Sequence, residues 1–206
     1  MKAILGIVLA LVVLLGGYLF LQWRAVQQAA TGPAKEIVSE SIERSGDTWD
    51  VSFVTKFDAP IERVFAVFQL PEKAHDYVPE NVLKSELVSE SGNVKVVDVI
   101  GRLDILPPGF KVQNLRTEWT FFPAEHRITS RSIDFKLADI TSEYRFEPAP
   151  GGTGTILNFS QKSKDKGAMP VESLQKGALR ETYLTQMRAA NKALGVTAAP
   201  EKKEAS

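Results

Sequence analysis

Cysteine is absent from the 206-residue sequence. That absence excludes disulfides, iron–sulfur clusters, thiolate zinc sites and cysteine nucleophiles together. It leaves the compartment open, because an exported protein need not carry disulfides. Histidine is nearly absent: His75 and His126 are the only two, far apart, with no His-x-x-x-His spacing and no neighbouring acid cluster. A catalytic zinc takes three converging protein ligands, so neither a metal nor a cofactor is expected. Net charge is missing as well. Lys and Arg number 25 against 25 Asp and Glu, without the basic excess of a nucleic-acid binder, so no nucleic-acid partner is expected. A phosphate-binding loop is also lacking. Gly151-Gly152-Thr153-Gly154 has neither the G-x-x-x-x-G-K-[ST] spacing nor its Lys, and it precedes a strand pattern. It reads as a hairpin turn.

What is present begins with an uncharged run, Ala3 to Leu21 (AILGIVLALVVLLGGYLFL). As a helix at ~1.5 Å per residue it reaches ~28 Å, close to the ~30 Å hydrocarbon core of a bilayer. Trp23 and Arg24 follow, an amphipathic ring and a cation suited to headgroup depth. A cleaved signal peptide would have a shorter apolar region and small residues where Trp23-Arg24 stand. Residues 1–26 therefore read as one N-terminal transmembrane anchor, meeting the membrane through residues 3–21. The two-residue tail ahead of the span reads as a single-pass signal anchor with the soluble domain on the exported side. Without Lys2 and Arg24 the remainder is mildly acidic, so adhesion to anionic lipid is not the expected mode.

Residues 27–48 read as linker and extension, with Gly32-Pro33 breaking the chain. Residues 195–206 read as a disordered tail. Between them, residues 49–194 suffice for one core. Trp49, Val51, Phe53 and Phe57 alternate as on a half-buried strand. Asp58 or Ala59 then caps a helix with Pro60 in its first turn and Ile61, Val64, Phe65 and Phe68 as its stripe. A short helical piece around Glu72–Tyr77 follows. Six strand patterns come next, separated by turns too short for parallel crossovers. Leu179, Tyr183, Met187, Ala190 and Leu194 mark one face of a long closing helix, with Arg180 and Gln186 on or near the other. The fold class is α+β.

That order, with Phe57-Asp58-Ala59-Pro60-Ile61-Glu62-Arg63-Val64-Phe65 and Gly151-Gly152-Thr153-Gly154-Thr155, resembles the START-like (SRPBCC) superfamily. This group holds START lipid-transfer domains, Bet v 1-type allergens and the polyketide cyclase/dehydrase group. Where many members carry a D-x-W-P-like stretch, this chain reads Asp76-Tyr77-Val78-Pro79. The resemblance implies a helix-grip fold: a seven-stranded curved antiparallel sheet around the long C-terminal helix, enclosing an apolar cavity. Such a sheet is wider than one helix can fill, so side chains or a ligand must occupy the rest. The expected lining is Phe53, Phe57, Trp119, Phe121, Tyr144, Phe146, Leu157 and Phe159 from the strands and Leu179, Tyr183 and Met187 from the helix. Leu103, Leu106, Pro107, Pro108 and Phe110 are expected at the rim.

Three functions fit this expectation. One is a tethered domain that binds, and transfers, a lipid or other hydrophobic small molecule. Another is a cyclase/dehydrase-type enzyme, for which His75, Tyr77, Arg102, Glu118 and Tyr144 are the candidate ionisable groups and no catalytic residue is assigned. The third is a partner-binding domain whose interior is filled. Nothing in the sequence assigns an oligomeric state.

Overall fold

The computed structural model describes residues 34, 37–103, 112–167 and 172–195. Strands β1 (Ile37–Ser45) and β2 (Thr48–Phe57) lead into helix α1 (Ile61–Phe68). A 3-10 turn (Pro71–Lys73) and helix α2 (Ala74–Tyr77) follow. Six strands come next: β3 (Val82–Ser91), β4 (Val94–Arg102), β5 (Val112–Phe122), β6 (Arg127–Asp134), β7 (Ala138–Pro148) and β8 (Thr155–Asp165). Helix α3 (Glu172–Ala193) closes the chain. The strands form one antiparallel sheet in the order β1-β2-β8-β7-β6-β5-β4-β3. This is an α+β, helix-grip-like fold.

The sheet has eight strands, not the seven expected. The extra one, β1, lies inside the segment 27–48 read as linker and extension. It buries only Ile42 fully, with Ile37 partly covered, and Val38 is 64% exposed. An edge strand with solvent on most of its side chains carries little period-2 signal, so a pattern search passes over it. Among the described residues no helix is long and apolar enough to cross a membrane. The run 3–21 and the tail beyond residue 195 lie outside the described residues.

Alternation accounts for the inner face. Trp49, Val51, Phe53, Thr55 and Phe57 are buried along β2, as are Ser142, Tyr144 and Phe146 along β7. α1 buries Val64, Phe65 and Phe68. Its N-cap is Pro60, past both expected candidates, Asp58 and Ala59, and without a side-chain bond. The Pro60 carbonyl accepts from the Arg63 and Val64 amides instead. Aromatic rings join these elements. Phe53 stacks on Tyr183 at 4.1 Å between centroids, and Phe68 meets Phe57, Tyr144 and Phe146. Such pairs add about 0.5–1.5 kcal/mol each beyond area burial.

Two details tie β1 and α1 to α3. Arg180, expected toward solvent, is 4% exposed and bonds Glu40 of β1 at 2.7 Å. The strand that the pattern hid is what brings this partner. Arg63 Nη2 donates to the Leu194 carbonyl at 2.9 Å, linking α1 to the end of α3. The β7–β8 turn takes positive φ at Gly151 (91°) and Gly152 (80°), the backbone that glycine permits. That is the hairpin chemistry expected of this segment.

Candidate functional site

The ends of β4, β6 and β8 and the starts of β2, β5 and β7 meet at one end of the sheet, as the antiparallel register requires. α3 crosses above them and α2 closes the side. Between these walls lies a cavity of about 340 Å³, within the roughly 300–1,000 Å³ of small-molecule sites. A second concavity, of about 780 Å³, lies on the outer face of the sheet. Its wall is hydroxyls and paired charges such as Asp50–Lys162 and Glu118–Arg131, suited to water.

The inner cavity is mainly apolar. Val51, Val67, Val99, Leu115, Leu137 and Ile140 contribute to it. Of the residues expected to line it, Leu103, Trp119, Tyr144, Phe159, Leu179 and Tyr183 do so. Phe53, Phe57, Phe121, Phe146, Leu157 and Met187 are instead buried in the packed core. They sit nearer α1 and the closed side of the grip, where side chains meet without a gap. Phe110 and the other rim residues 106–108 lie outside the described residues.

Sequence reasoning passes over the polar wall. Gln175, Thr182, Thr185 and Gln186 all line the cavity from α3. Gln186, read as facing outward, accepts a hydrogen bond from Tyr144 Oη at 3.0 Å. Its spacing is the available signal: Gln175, Thr182 and Gln186 lie seven and four apart, on the same helical face as Leu179. Polarity by itself reads as a sign of solvent.

Among the ionisable candidates, Tyr77, Arg102 and Tyr144 line the cavity, whereas His75 and Glu118 do not. His75 Nδ1 lies 2.7 Å from the Val82 carbonyl, and its backbone N–H donates to Ser85 Oγ. The Ser85 hydroxyl in turn donates to the Glu72 carbonyl, pinning α2 to β3. His126 occupies a left-handed turn (φ 43°) edge-on to Phe65. Glu118 pairs with Arg131 on the outer face at 2.7 Å, and that guanidinium holds its carboxyl below the usual range. Among the described residues no three His, Asp or Glu side chains gather where they could hold a metal ion.

Burial pushes the Tyr144 and Tyr183 phenols well above their ordinary value of 10.0. The bonds to Gln186 and Thr55 only partly offset this. Both therefore stay protonated at neutral pH and serve as hydrogen-bonding groups, not bases. Because their native pKa values are raised, the unfolded chain releases these protons first as pH climbs. Their contribution to stability is whole below pH 10 and is lost above it. Unfolding free energies from urea titrations measured upward from about pH 9 should fall by up to about 1.4 kcal/mol per pH unit for each tyrosine. Tyr144→Phe and Tyr183→Phe should each remove a share of that slope. Tyr183→Phe also strands the buried Thr55 hydroxyl, at about 1–3 kcal/mol. A slope unchanged in both variants would contradict this.

A family model described as "Polyketide cyclase / dehydrase and lipid transport" matches residues 48–192. No curated protein matches the sequence. Several solved structures share the fold at low identity. The ZhuI aromatase/cyclase from Streptomyces sp. R1128 is 16% identical, with a TM-score of 0.57 over 72% of this chain and 92% of that one. TTHA0849 from Thermus thermophilus is 17% identical, with a TM-score of 0.58 over 72% and 99%. A START superfamily protein from Mycobacterium smegmatis is 15% identical, with a TM-score of 0.57 over 72% and 99%.

Proposed function

The chain belongs to the polyketide cyclase / dehydrase and lipid transport family, and from that premise we propose that it carries a hydrophobic small molecule or lipid in the cavity beneath α3. One observation carries this reading: the predominantly apolar space between α3 and the sheet is left unfilled by the protein's own side chains. Removing apolar ligand surface from water there contributes about 25 cal/mol per Å². Binding on this basis asks for no catalytic group. The anchor read from residues 3–21 supports a tethered form of the same function, with the domain on the exported face. Tethering would confine the cavity near a ligand held in the bilayer and raise its effective concentration.

A cyclase/dehydrase-type enzyme working in the same cavity is the second reading. It is favoured by Tyr77 and Arg102, which place a phenol and a cation on the wall, and by the aromatase/cyclase among the similar structures. In such an enzyme the Tyr144 and Tyr183 phenols, held neutral by burial, serve as proton or hydrogen-bond donors and not as bases.

Native mass spectrometry of the full chain released from detergent, followed by organic extraction, tests the carrier. One hydrophobic molecule per chain is the expected result. A chain purified from its own cells that yields no such molecule contradicts the reading. Recovery of two molecules related by loss of water or by ring closure supports the enzyme instead.

A further inference from the structure

Buried side-chain polar atoms are normally satisfied, and each exception asks for a reason. Among the described residues five lack a partner: Trp49 Nε1, Glu72 Oε2, Trp119 Nε1, Gln175 Oε1 and Thr185 Oγ1. All but the Glu72 oxygen belong to residues lining the inner cavity. A wall shaped for bare hydrocarbon has no use for such atoms, since each costs its full desolvation.

Two of them belong to residues tied to one carboxylate, Asp165, whose side chain is 6% exposed where α3 begins: Gln175 directly, and Trp49 through Arg44. Asp165 Oδ2 accepts from Gln175 Nε2 at 3.0 Å and from Arg44 Nη2 at 3.3 Å. A carboxylate only accepts, so Gln175 must turn its NH₂ toward it, which leaves Oε1 as the free acceptor. Arg44 lies over the Trp49 ring at 5.3 Å, and Trp49 faces Ser163 of β8. Trp49 is 2% exposed and Gln175 5%. An unpaired donor and an unpaired acceptor thus belong to residues lining the same cavity.

We propose that this end of the cavity is a hydroxyl-recognising subsite. The ligand's oxygen accepts from Trp49 Nε1, and its O–H donates to Gln175 Oε1. The inference rests on the reading of the cavity as a ligand site and names the ligand's class: a neutral, otherwise apolar alcohol. A carboxylate would set its oxygens against Gln175 Oε1 and beside Asp165. An ammonium would find the Asp165 charge already taken by Arg44 and would leave the indole N–H unpaired. An ether would satisfy only the indole.

Titration calorimetry of the full chain in lipid nanodiscs, corrected with empty nanodiscs, compares 1-decanol, its methyl ether and decanoate as probes. The alcohol should bind tightest, the ether about tenfold weaker for the lost bond, and decanoate weaker still. Gln175→Leu should bring the alcohol down to the ether and leave the ether unchanged. Trp49→Phe should weaken both, and thermal melts establish that each variant is folded. Three probes that bind alike, yet are all blocked by the cavity-filling change Ala178→Trp, overturn the hydroxyl subsite and leave the cavity reading standing. Probes that ignore Ala178→Trp, or that fail to bind at all, overturn both.

Discussion

Gly154→Ala should destabilise this protein by about 2–4 kcal/mol, a sizeable part of a typical domain's roughly 5–15. A Cβ on Gly154 would land 2.6 Å from the backbone carbonyl oxygen of Phe57. That oxygen cannot swing aside, because it belongs to the last residue of β2. Nor can the glycine retreat. Its own carbonyl accepts from the Ala149 amide at 2.8 Å, and the next residue, Thr155, bonds the Ala59 carbonyl at 2.7 Å while fully buried. Relief of the contact must part β8 from β2 or break these bonds at the entrance to α1. Gly151 is the comparison: its φ of 91° disfavours alanine, but nothing lies within 4 Å of its Cβ position. Gly151→Ala should therefore cost only backbone strain, about 1–2 kcal/mol. Urea unfolding of both variants by near-UV circular dichroism gives the comparison. Equal costs would mean that the β7–β8 turn moves freely against β2, contrary to the geometry.

The same turn shows what is readable in the sequence. Gly151-Gly152 between two alternating runs is a local signal, and the structure returns a hairpin there. The alternation of β2 and β7 is legible for the same reason: one face of each is covered, so every second residue is apolar. Strand β1 is not legible. It lies at an edge, and its link to the inner face is a half-buried ion pair, Arg180–Glu40, not a row of apolar side chains. Charge on a strand and charge on a helix each read as solvent when taken alone. Only their meeting, 140 positions apart in the chain, shows that they face one another. The hydrophobic pattern names which faces are buried; it does not name which polar groups are buried with them.

The site divides along the same line. Phe53 and Tyr144 carry the same inward signal in their strands, yet Phe53 is sealed in the core and Tyr144 stands on the cavity wall as well. Alternation reports burial, and both positions are buried. Whether a buried ring meets another ring or an empty space depends on how the sheet bends around α3, a property of all the strands at once. Gln175 and Gln186 escape notice for the complementary reason: a helix face that borders a polar-lined hollow looks, residue by residue, like a face toward water.

Whether that hollow is where a ligand sits is decided by filling it. Ala178 lies on α3 in the cavity wall, and its methyl leaves the opposing space empty. An indole placed there by Ala178→Trp has to enter a volume of about 340 Å³ and takes up room that a ligand would need. Two effects follow with opposite readouts. The ligand loses its space, so co-purified hydrophobic material should drop at least about a hundredfold, since no rearrangement of the packed α3–sheet contacts offers an equivalent volume. The protein itself should hold or gain stability, by about 0.5–2 kcal/mol, because apolar wall that faced a gap now meets carbon. Loss of ligand together with loss of stability would instead report a damaged fold. Ala193→Trp supplies the control, since that residue ends α3 away from the cavity wall and should leave the ligand in place. A folded Ala178→Trp protein that still carries its ligand would put the binding site elsewhere, and the carrier reading would fall with it.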